Sequence, residues 1–330
     1  MKTVQMTLFL LLPICAFSLE ENLDDLPGEH AEDLAELNIP SLLQQPQGFQ
    51  DIQISSPSFV TGSLKKSWVA VGLSALLPGL GHVYLGDMQT AGGLIGSTGL
   101  GIGLHSAGKN EEFVRSTSAL TIETTWLYGI YAAYRDTRIS NGTKNYSYQM
   151  PTDSFLDLTS APFRLQVLKK PEVWGGLLGS LALSVAVTYL AFPDEHIHPS
   201  FSLTRTLSPL TALPIGIGEE AFFRGFLQSQ ISEWSNPWGG IISSSLAFGA
   251  MHMPNAWDLP SKERRNYYKI IVPFITLSGL YDGWLTYKNH SLESSVAIHT
   301  WYDGILFTLG SLAGQAAIRG RSDMCIAFSF

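Results

Sequence analysis

The sequence predicts an all-α fold, a polytopic transmembrane helical bundle with about eight membrane helices. The chain of 330 residues is 45% hydrophobic and only 15% charged, whereas soluble domains usually carry about 25% charged residues. The shortage of charge is uneven, because residues 67–135 and 173–317 consist mostly of apolar residues, glycine and serine. Two long apolar regions with a polar region between them are typical of a chain that crosses a bilayer several times.

The first 66 residues predict a secretory signal peptide and an exported acidic segment. Residues 1–18 contain Lys2, an apolar run and the small-residue pattern Ala-Phe-Ser that precedes a cleavage site. The apolar run is shorter than the ~20 residues that span a bilayer, which favours a cleaved signal peptide over a first membrane helix. Residues 19–66 are acidic, with no lysine or arginine before Lys65. We expect this segment to be disordered and exported.

Eight apolar stretches are candidate membrane helices, and several are short or rich in glycine, which suits close helix packing. They are residues 67–86, 91–107, 117–134, 173–192, 207–228, 239–253, 269–287 and 294–316. The first three form an N-terminal group within residues 67–135, and the others form a helical domain over residues 173–317. Residues 136–172 are a polar loop whose basic side chains place it in the cytoplasm. Residues 318–330 form a C-terminal tail.

A dense run of proline and glycine at 78–81 lies within the first candidate helix and predicts a kink or a tight turn. His82 follows the run, and we interpret it as a structural residue.

The cysteine and charge contents exclude two kinds of site. Only Cys15 and Cys325 are present, so the chain cannot supply a four-thiolate zinc site. The net charge of -8 and the lack of a basic stripe interleaved with aromatic residues argue against nucleic-acid binding.

The strongest candidate for chemistry is the run Glu-Glu-Ala-Phe-Phe-Arg at 219–224, within an apolar stretch. An ionisable side chain at the bilayer centre costs about 2.5–3.5 kcal/mol on insertion scales, so an acidic pair there indicates a function. Glu220 and Arg224 are four residues apart, share a helix face and can form an ion pair. Glu219 is then free to face elsewhere and to act as a general base. A structural ion pair alone would explain Glu220 and Arg224 but not the second acid.

Two further pairs with a spacing of four residues lie in downstream apolar stretches, Phe248 with His252 and His299 with Asp303. In lipid, such side chains must converge on one another or on a water-filled cavity. Acids, histidines and an arginine around water are the components of hydrolysis, and they could equally form the ion path of a transporter. Asp282, in another candidate helix, either joins this cavity or reaches water at the helix end.

The three motifs, in this order, resemble those of the CPBP family of intramembrane proteases, which includes CAAX prenyl protease 2, abortive-infection-like proteins and bacterial lysostaphin-resistance-like proteins. The family patterns are Glu-Glu-x-x-x-Arg, Phe-x-x-x-His and His-x-x-x-Asn, and this chain has an aspartate in place of the final asparagine. The resemblance covers residues 173–317 and implies peptide-bond hydrolysis in or beside the membrane. The catalytic residues it implies are Glu219, Glu220, Arg224, His252, His299 and Asp303.

The resemblance also implies a role for each motif. Glu219 would be the general base that activates a water, with His252 as its partner, and the ion pair of the first motif would organise its helix. His299 with Asp303 would stabilise the oxyanion. An ionised aspartate would repel an oxyanion. Three roles are therefore open for Asp303: it is protonated, or it orients His299, or it ligates a metal. Zinc is a possible cofactor, and its candidate ligands are Glu219, His252, His299 and Asp303.

We therefore predict a membrane-embedded endopeptidase that acts on a peptide or protein substrate at the lipid bilayer. We expect it in a bacterial inner membrane with its N-terminal segment exported. An ion- or proton-coupled transporter, or a catalytically silent scaffold that binds membrane peptides, are the alternatives.

Overall fold

The computed structural model describes residues 64–108, 111–142, 145–191 and 209–318. Helices joined by turns and loops make up these ranges, and no strand occurs within them. The predicted all-α class is therefore confirmed for the described residues. The predicted signal peptide, nearly all of the acidic segment and the C-terminal tail from residue 319 lie outside them.

The N-terminal group of helices begins with a break rather than with one continuous span. The group consists of α1 Ser67–Leu76, α2 Leu80–Leu85, α3 Met88–Ala107 and α4 Glu112–Asn141. Pro78 and Gly79 separate α1 from α2, and Gly79 has a φ of 96°, which favours glycine. A Cβ there would also lie 2.7 Å from the carbonyl oxygen of Ala91. The predicted turn is confirmed, and the first candidate span is two helices.

The helix α4 extends seven residues beyond the predicted end at residue 134, into the stretch that we expected to be a polar loop. Its two terminal arginines are buried because the protein itself supplies their partners. Arg135 donates to the side chain of Asp136 and to the backbone carbonyl of Asp153. Arg138 donates to the carbonyl of Tyr148 at 2.9 Å and to Glu233 at 3.2 Å. Polar composition predicted a loop, but these tertiary partners allow a helix.

The region between the two apolar parts contains further short helices, α5 Phe155–Ser160 and α6 Leu165–Leu168. A capping box begins α5, in which the hydroxyl of Ser154 accepts from the backbone N–H of Asp157 and the carboxylate of Asp157 accepts from the backbone N–H of Ser154. The Asp157 carboxylate also accepts from Arg164 at 2.9 Å. Hydrogen bonds from Ser154 and then from Arg164 lower the pKa of Asp157 from its ordinary value of 3.8 to about 2.

Acid should weaken the contacts of the Asp157 carboxylate over a defined pH interval. Because the pKa of Asp157 is lower in the folded state, its stabilising contribution is complete above about pH 4 and is lost as the pH falls through about 2. The carboxylate is partly exposed, so the expected effect is small. Thermal unfolding midpoints measured between pH 2 and 5 should fall more steeply for the wild type than for Asp157→Asn. Parallel curves would contradict this assignment.

The C-terminal part of the described chain is built mainly of long helices, and π-helical segments join two pairs of neighbouring helices. The helices are α7 Pro171–Ala191, α8 Ala212–Glu220, α9 Ser229–Trp234, α10 Pro237–Met251, α11 Ser261–Asn266, α12 Val272–Asn289 and α13 Glu293–Ile318. The π-helix Ala221–Gln228 joins α8 to α9, and the π-helix Tyr267–Ile271 joins α11 to α12.

Among the described helices, α7 alone is long enough and apolar enough to cross a membrane by itself, with a mean hydropathy of 1.6. The predicted count of about eight membrane helices is therefore not confirmed. Large apolar side chains on α7 are exposed, including Leu178, Tyr189 and Leu190. An exposed apolar surface of this kind is suited to contact with lipid.

The N-terminal helices pack directly against the helix that ends in the acidic pair. The hydroxyl of Thr124 on α4 donates to the carbonyl of Pro214 at 2.9 Å. A Cβ on Gly218 would lie 3.0 Å from the Cα of Thr124, so the glycine permits this close approach. Farther along, Gly225 of the π-helix lies against the ring of Tyr131. The surroundings of the acidic pair are thus built by both apolar parts of the chain.

Candidate active site

The acidic pair lies where α8 passes into the π-helix Ala221–Gln228, since Glu219 and Glu220 are the last two residues of α8. π-helical turns are rare and occur frequently at functional sites. The side chains of Glu220 and Arg224 are both completely buried, and Glu220 Oε1 lies 3.1 Å from Arg224 Nη1. The ion pair expected from the spacing of four residues is therefore present, although the turn that carries it is wider than an α-helical one.

His299 of α13 is surrounded by carboxylates from both of the helices that meet at this point. Its Nδ1 donates to Glu220 Oε1 at 2.8 Å, so a single carboxylate oxygen serves both His299 and Arg224. Its Nε2 lies 3.7 Å from Glu219 Oε2 and 3.5 Å from Asp303 Oδ2. The structure thus joins the first and third motifs through a contact between Glu220 and His299.

A glycine on α8 allows α13 to come this close. A Cβ on Gly216 would lie 2.8 Å from the hydroxyl of Thr300 and 3.6 Å from the Cβ of His299. Any larger residue at this position would have to push α13 away. Gly216 is one helical turn before Glu220, so it sets the separation at which Glu220 and His299 meet.

Phe248 of α10 packs at the centre of the three motifs. Its ring centroid lies 4.8 Å from that of His252 and 6.0 Å from that of His299, in edge-to-face arrangements. The guanidinium carbon of Arg224 lies 4.2 Å from the same ring centroid, within the range of a cation–π interaction. The second motif therefore contributes an aromatic ring that contacts polar groups of the other two.

His252 ends α10 and is held by its own motif. Its Nδ1 lies 2.8 Å from the backbone carbonyl oxygen of Phe248, and because a carbonyl can only accept, Nδ1 carries the proton. In the neutral ring the other nitrogen, Nε2, is then an acceptor. His252 is thus connected to the remaining site residues through Phe248, and its Nε2 is the nitrogen available to a water or a substrate.

The two adjacent glutamates have different surroundings. Glu220 is completely buried and bound by His299 and Arg224. The side chain of Glu219 is 22% exposed, and its Oε2 has no hydrogen-bond partner among the described residues. One carboxylate is therefore locked in place while its neighbour is available for other contacts.

Two acidic residues lie close to this cluster although neither belongs to the three motifs. Glu123 of α4 is brought towards Glu219, because the next residue, Thr124, packs on Gly218. An acid within an apolar stretch was the signal that could have revealed it. Asp282 of α12 is 7% exposed, so the alternative that it reaches water at the helix end is wrong.

The donors present do not form a metal site. Within the described ranges, no three side chains among histidine, cysteine, aspartate and glutamate are arranged so that they could hold a metal ion. Phe248 contacts both His252 and His299, two of the four candidate zinc ligands. The arrangement of the described side chains therefore does not support a zinc ion.

Comparison with known proteins gives one match, to a sequence family. Residues 201–305 match the family described as type II CAAX prenyl endopeptidase Rce1-like. No curated protein and no solved structure matches the chain. The matched range contains all three motifs and excludes α4 with Glu123. The resemblance predicted from the motifs is therefore confirmed for residues 201–305, about a third of the chain.

Proposed function

We propose that this protein is an intramembrane endopeptidase that hydrolyses a peptide bond in or beside the bilayer, with a water activated by Glu219 and His252. The observation that carries the proposal is that the two adjacent glutamates have different surroundings. Glu220 is fixed by Arg224 and His299, whereas the side chain of Glu219 is partly exposed and its buried Oε2 has no hydrogen-bond partner in the described part of the chain. A partly exposed carboxylate beside a fixed histidine is suited to general base catalysis.

In this mechanism Glu219 accepts a proton from a water whose oxygen attacks the peptide carbonyl carbon. The water O–H bond breaks as the new C–O bond forms, and the proton then passes from Glu219 to the leaving nitrogen as the C–N bond breaks. His252 orients the water through Nε2, because its Nδ1 already donates to the carbonyl of Phe248. The oxygen and the second hydrogen of the water remain on the carbonyl carbon, as part of the new carboxyl group.

His299 is the group that faces the developing oxyanion. Its Nδ1 is occupied by Glu220, so a doubly protonated ring would donate to the oxyanion through Nε2. Asp303 Oδ2 lies 3.5 Å from that nitrogen, farther than a normal hydrogen bond, so it can orient the ring by charge attraction while the Nε2 proton is donated to the oxyanion. Of the three roles that the sequence left open for Asp303, this geometry supports orientation of His299.

The substrate class follows from the family and from the surface of the fold. The matched family is described as type II CAAX prenyl endopeptidase Rce1-like, and for this chain we propose a peptide or protein substrate held at the membrane. The exposed apolar side chains of α7 support insertion into lipid. The bacterial inner membrane, the exported N-terminal segment and the division into domains stay predictions.

Substitution of His252 tests this function. The full chain is purified in detergent and incubated with a library of membrane peptides, whose products are identified by mass spectrometry. We expect cleavage by the wild type and a decrease in kcat of about 10²-fold for His252→Gln. His290→Asn is the matched control, because His290 is exposed and has a φ of 49°, which asparagine tolerates.

The same assay separates the competing functions. A chelator should leave the rate unchanged, and loss of cleavage with a chelator alone would replace the metal-independent mechanism by a metal-dependent one. Proton or ion flux into vesicles, without cleavage, would support a transporter instead.

A further inference from the structure

The short stretch that precedes α7 has large apolar side chains on its outer surface. This pre-α7 segment, residues 155–170, contains α5, the 3₁₀-helical turn Ala161–Phe163 and α6. Leu158 and Val167 are buried on its inner side. Its exposed apolar side chains, with exposed fractions from 47% to 76%, are Phe155, Leu156, Phe163 and Leu165. Such side chains are unfavourable in water, which indicates that another apolar phase covers them.

Polar contacts fix the pre-α7 segment to α13. Arg164 bonds to Asp157 within the segment at 2.9 Å and also to Glu293 in the first turn of α13. The indole N–H of Trp301 donates to the backbone carbonyl of Pro162 at 2.8 Å. Because these contacts hold the segment from its inner side, the exposed apolar side chains stay on the outer surface.

The start of α7 places the segment at one boundary of the bilayer. α7 begins at Pro171, directly after the segment, and has 21 residues. At about 1.5 Å per residue this length matches the ~30 Å thickness of the hydrocarbon core. Trp174, in the first turn of α7, donates from Nε1 to the carbonyl of Leu168 at 2.7 Å. Tryptophan is enriched at the boundary between membrane and water, so the end of α6 lies at the level of the lipid headgroups.

The charge at this end of the segment suits a phospholipid surface. Lys169 and Lys170 lie between α6 and α7, and Lys169 is exposed. The ammonium group of Lys170 lies 3.2 Å from the hydroxyl of Ser294. Lysines at a membrane boundary attract lipid phosphate groups, while their stems cover apolar surface. Apolar side chains beside lysines therefore match the two layers that a lipid monolayer presents at its surface.

We propose that the pre-α7 segment lies in the plane of the membrane and binds the headgroup layer of the bilayer. Its exposed apolar side chains insert between the lipid chains, and Lys169 contacts phosphate groups. The segment is thus a lipid-binding surface rather than part of a polar loop in water. Because the segment is bonded to α13, it also sets the depth of that helix in the bilayer. The proposal concerns contact with lipid and does not depend on peptidase activity.

The depth of the segment can be measured on the full chain with single nitroxide labels. Cys15 and Cys325 are replaced by serine, and the label is attached to Leu156→Cys or to Phe163→Cys. The protein is reconstituted into vesicles of phosphatidylcholine and phosphatidylglycerol. Electron paramagnetic resonance then compares collisions of the nitroxide with oxygen, which concentrates in the bilayer, and with a neutral nickel chelate, which stays in water.

Two further positions calibrate this measurement. Leu178→Cys on α7 is the reference for lipid, since Leu178 is 58% exposed on the apolar helix. Gln149→Cys is the reference for water, since Gln149 is exposed in the polar stretch before the segment. We expect the labels at Leu156 and Phe163 to collide with oxygen more often than the label at Gln149. They should collide with the nickel chelate less often than the label at Gln149 and more often than the label at Leu178.

The opposite results are equally clear. Collisions with the nickel chelate as frequent as at Gln149 would show that the segment lies in water and would overturn the proposal. Protection from both reagents would overturn it too, because another protein surface, such as a second copy of this chain, would then cover the segment. If one of the two variants does not fold, Leu165→Cys supplies another exposed position and must give the same result.

Discussion

Replacing Glu219 by glutamine should lower kcat for peptide hydrolysis by about 10²–10⁴-fold, the usual contribution of a general base. Glutamine has nearly the same shape as glutamate but cannot accept the proton of the water. Glu219 Oε2 makes no hydrogen bond within the described residues, and its side chain is partly exposed. The substitution should therefore leave the thermal unfolding midpoint close to that of the wild type. Cleavage rates and unfolding curves of the purified variant measure the two effects.

Glu123→Gln is the matched control for this experiment. It removes a neighbouring carboxyl group on which the charge of Glu219 acts, but Glu123 lies on α4, outside the matched family segment. If loss of local negative charge were the cause of inactivation, both variants would lose activity to a similar extent. We expect a much smaller effect for Glu123→Gln. Full activity of Glu219→Gln would remove the proposed mechanism.

Contacts within one helix could be predicted from the sequence because they depend on local spacing alone. Glu220 and Arg224 form the expected pair, even though the turn between them is π-helical. The turn at Gly79 was also predictable, because proline and glycine limit the backbone wherever they occur.

Contacts between helices could not be predicted in this way. The bond between Glu220 and His299 depends on Gly216, which lets α13 approach α8. No periodicity in either segment contains that information. Asp282 could be named as a candidate from its apolar surroundings, but only the packing of the helices shows that it is buried.

The position at which α4 ends could not be predicted from the sequence either. A run of charged residues from Arg135 onwards predicted a loop, because unpaired charges favour water. The structure pairs Arg138 with Glu233, which is 95 residues away in the chain. Tertiary partners of this kind override local composition, and they also explain why helices that are less apolar than α7 can belong to the bundle.

Replacing Glu220 by alanine should destabilise the fold by about 3–5 kcal/mol, the usual cost of removing one partner of a buried ion pair. Both Glu220 and Arg224 are completely buried, so the variant would leave a guanidinium charge in the protein interior. His299 would lose its 2.8 Å hydrogen bond at the same time. We therefore expect loss of activity together with a large decrease in the unfolding midpoint, in contrast to Glu219→Gln.

Simultaneous replacement of both partners distinguishes the structural from the catalytic part of this effect. In the double variant Glu220→Leu with Arg224→Met, no charge is left unpaired and the volume is largely filled, so much of the lost stability should return. Activity should not return, because the carboxylate that holds His299 in place is still absent. Recovery of cleavage in the double variant would show that Glu220 serves only to stabilise the helix. If the double variant were as unstable as Glu220→Ala, the buried charge of Arg224 would not be the cause of the destabilisation.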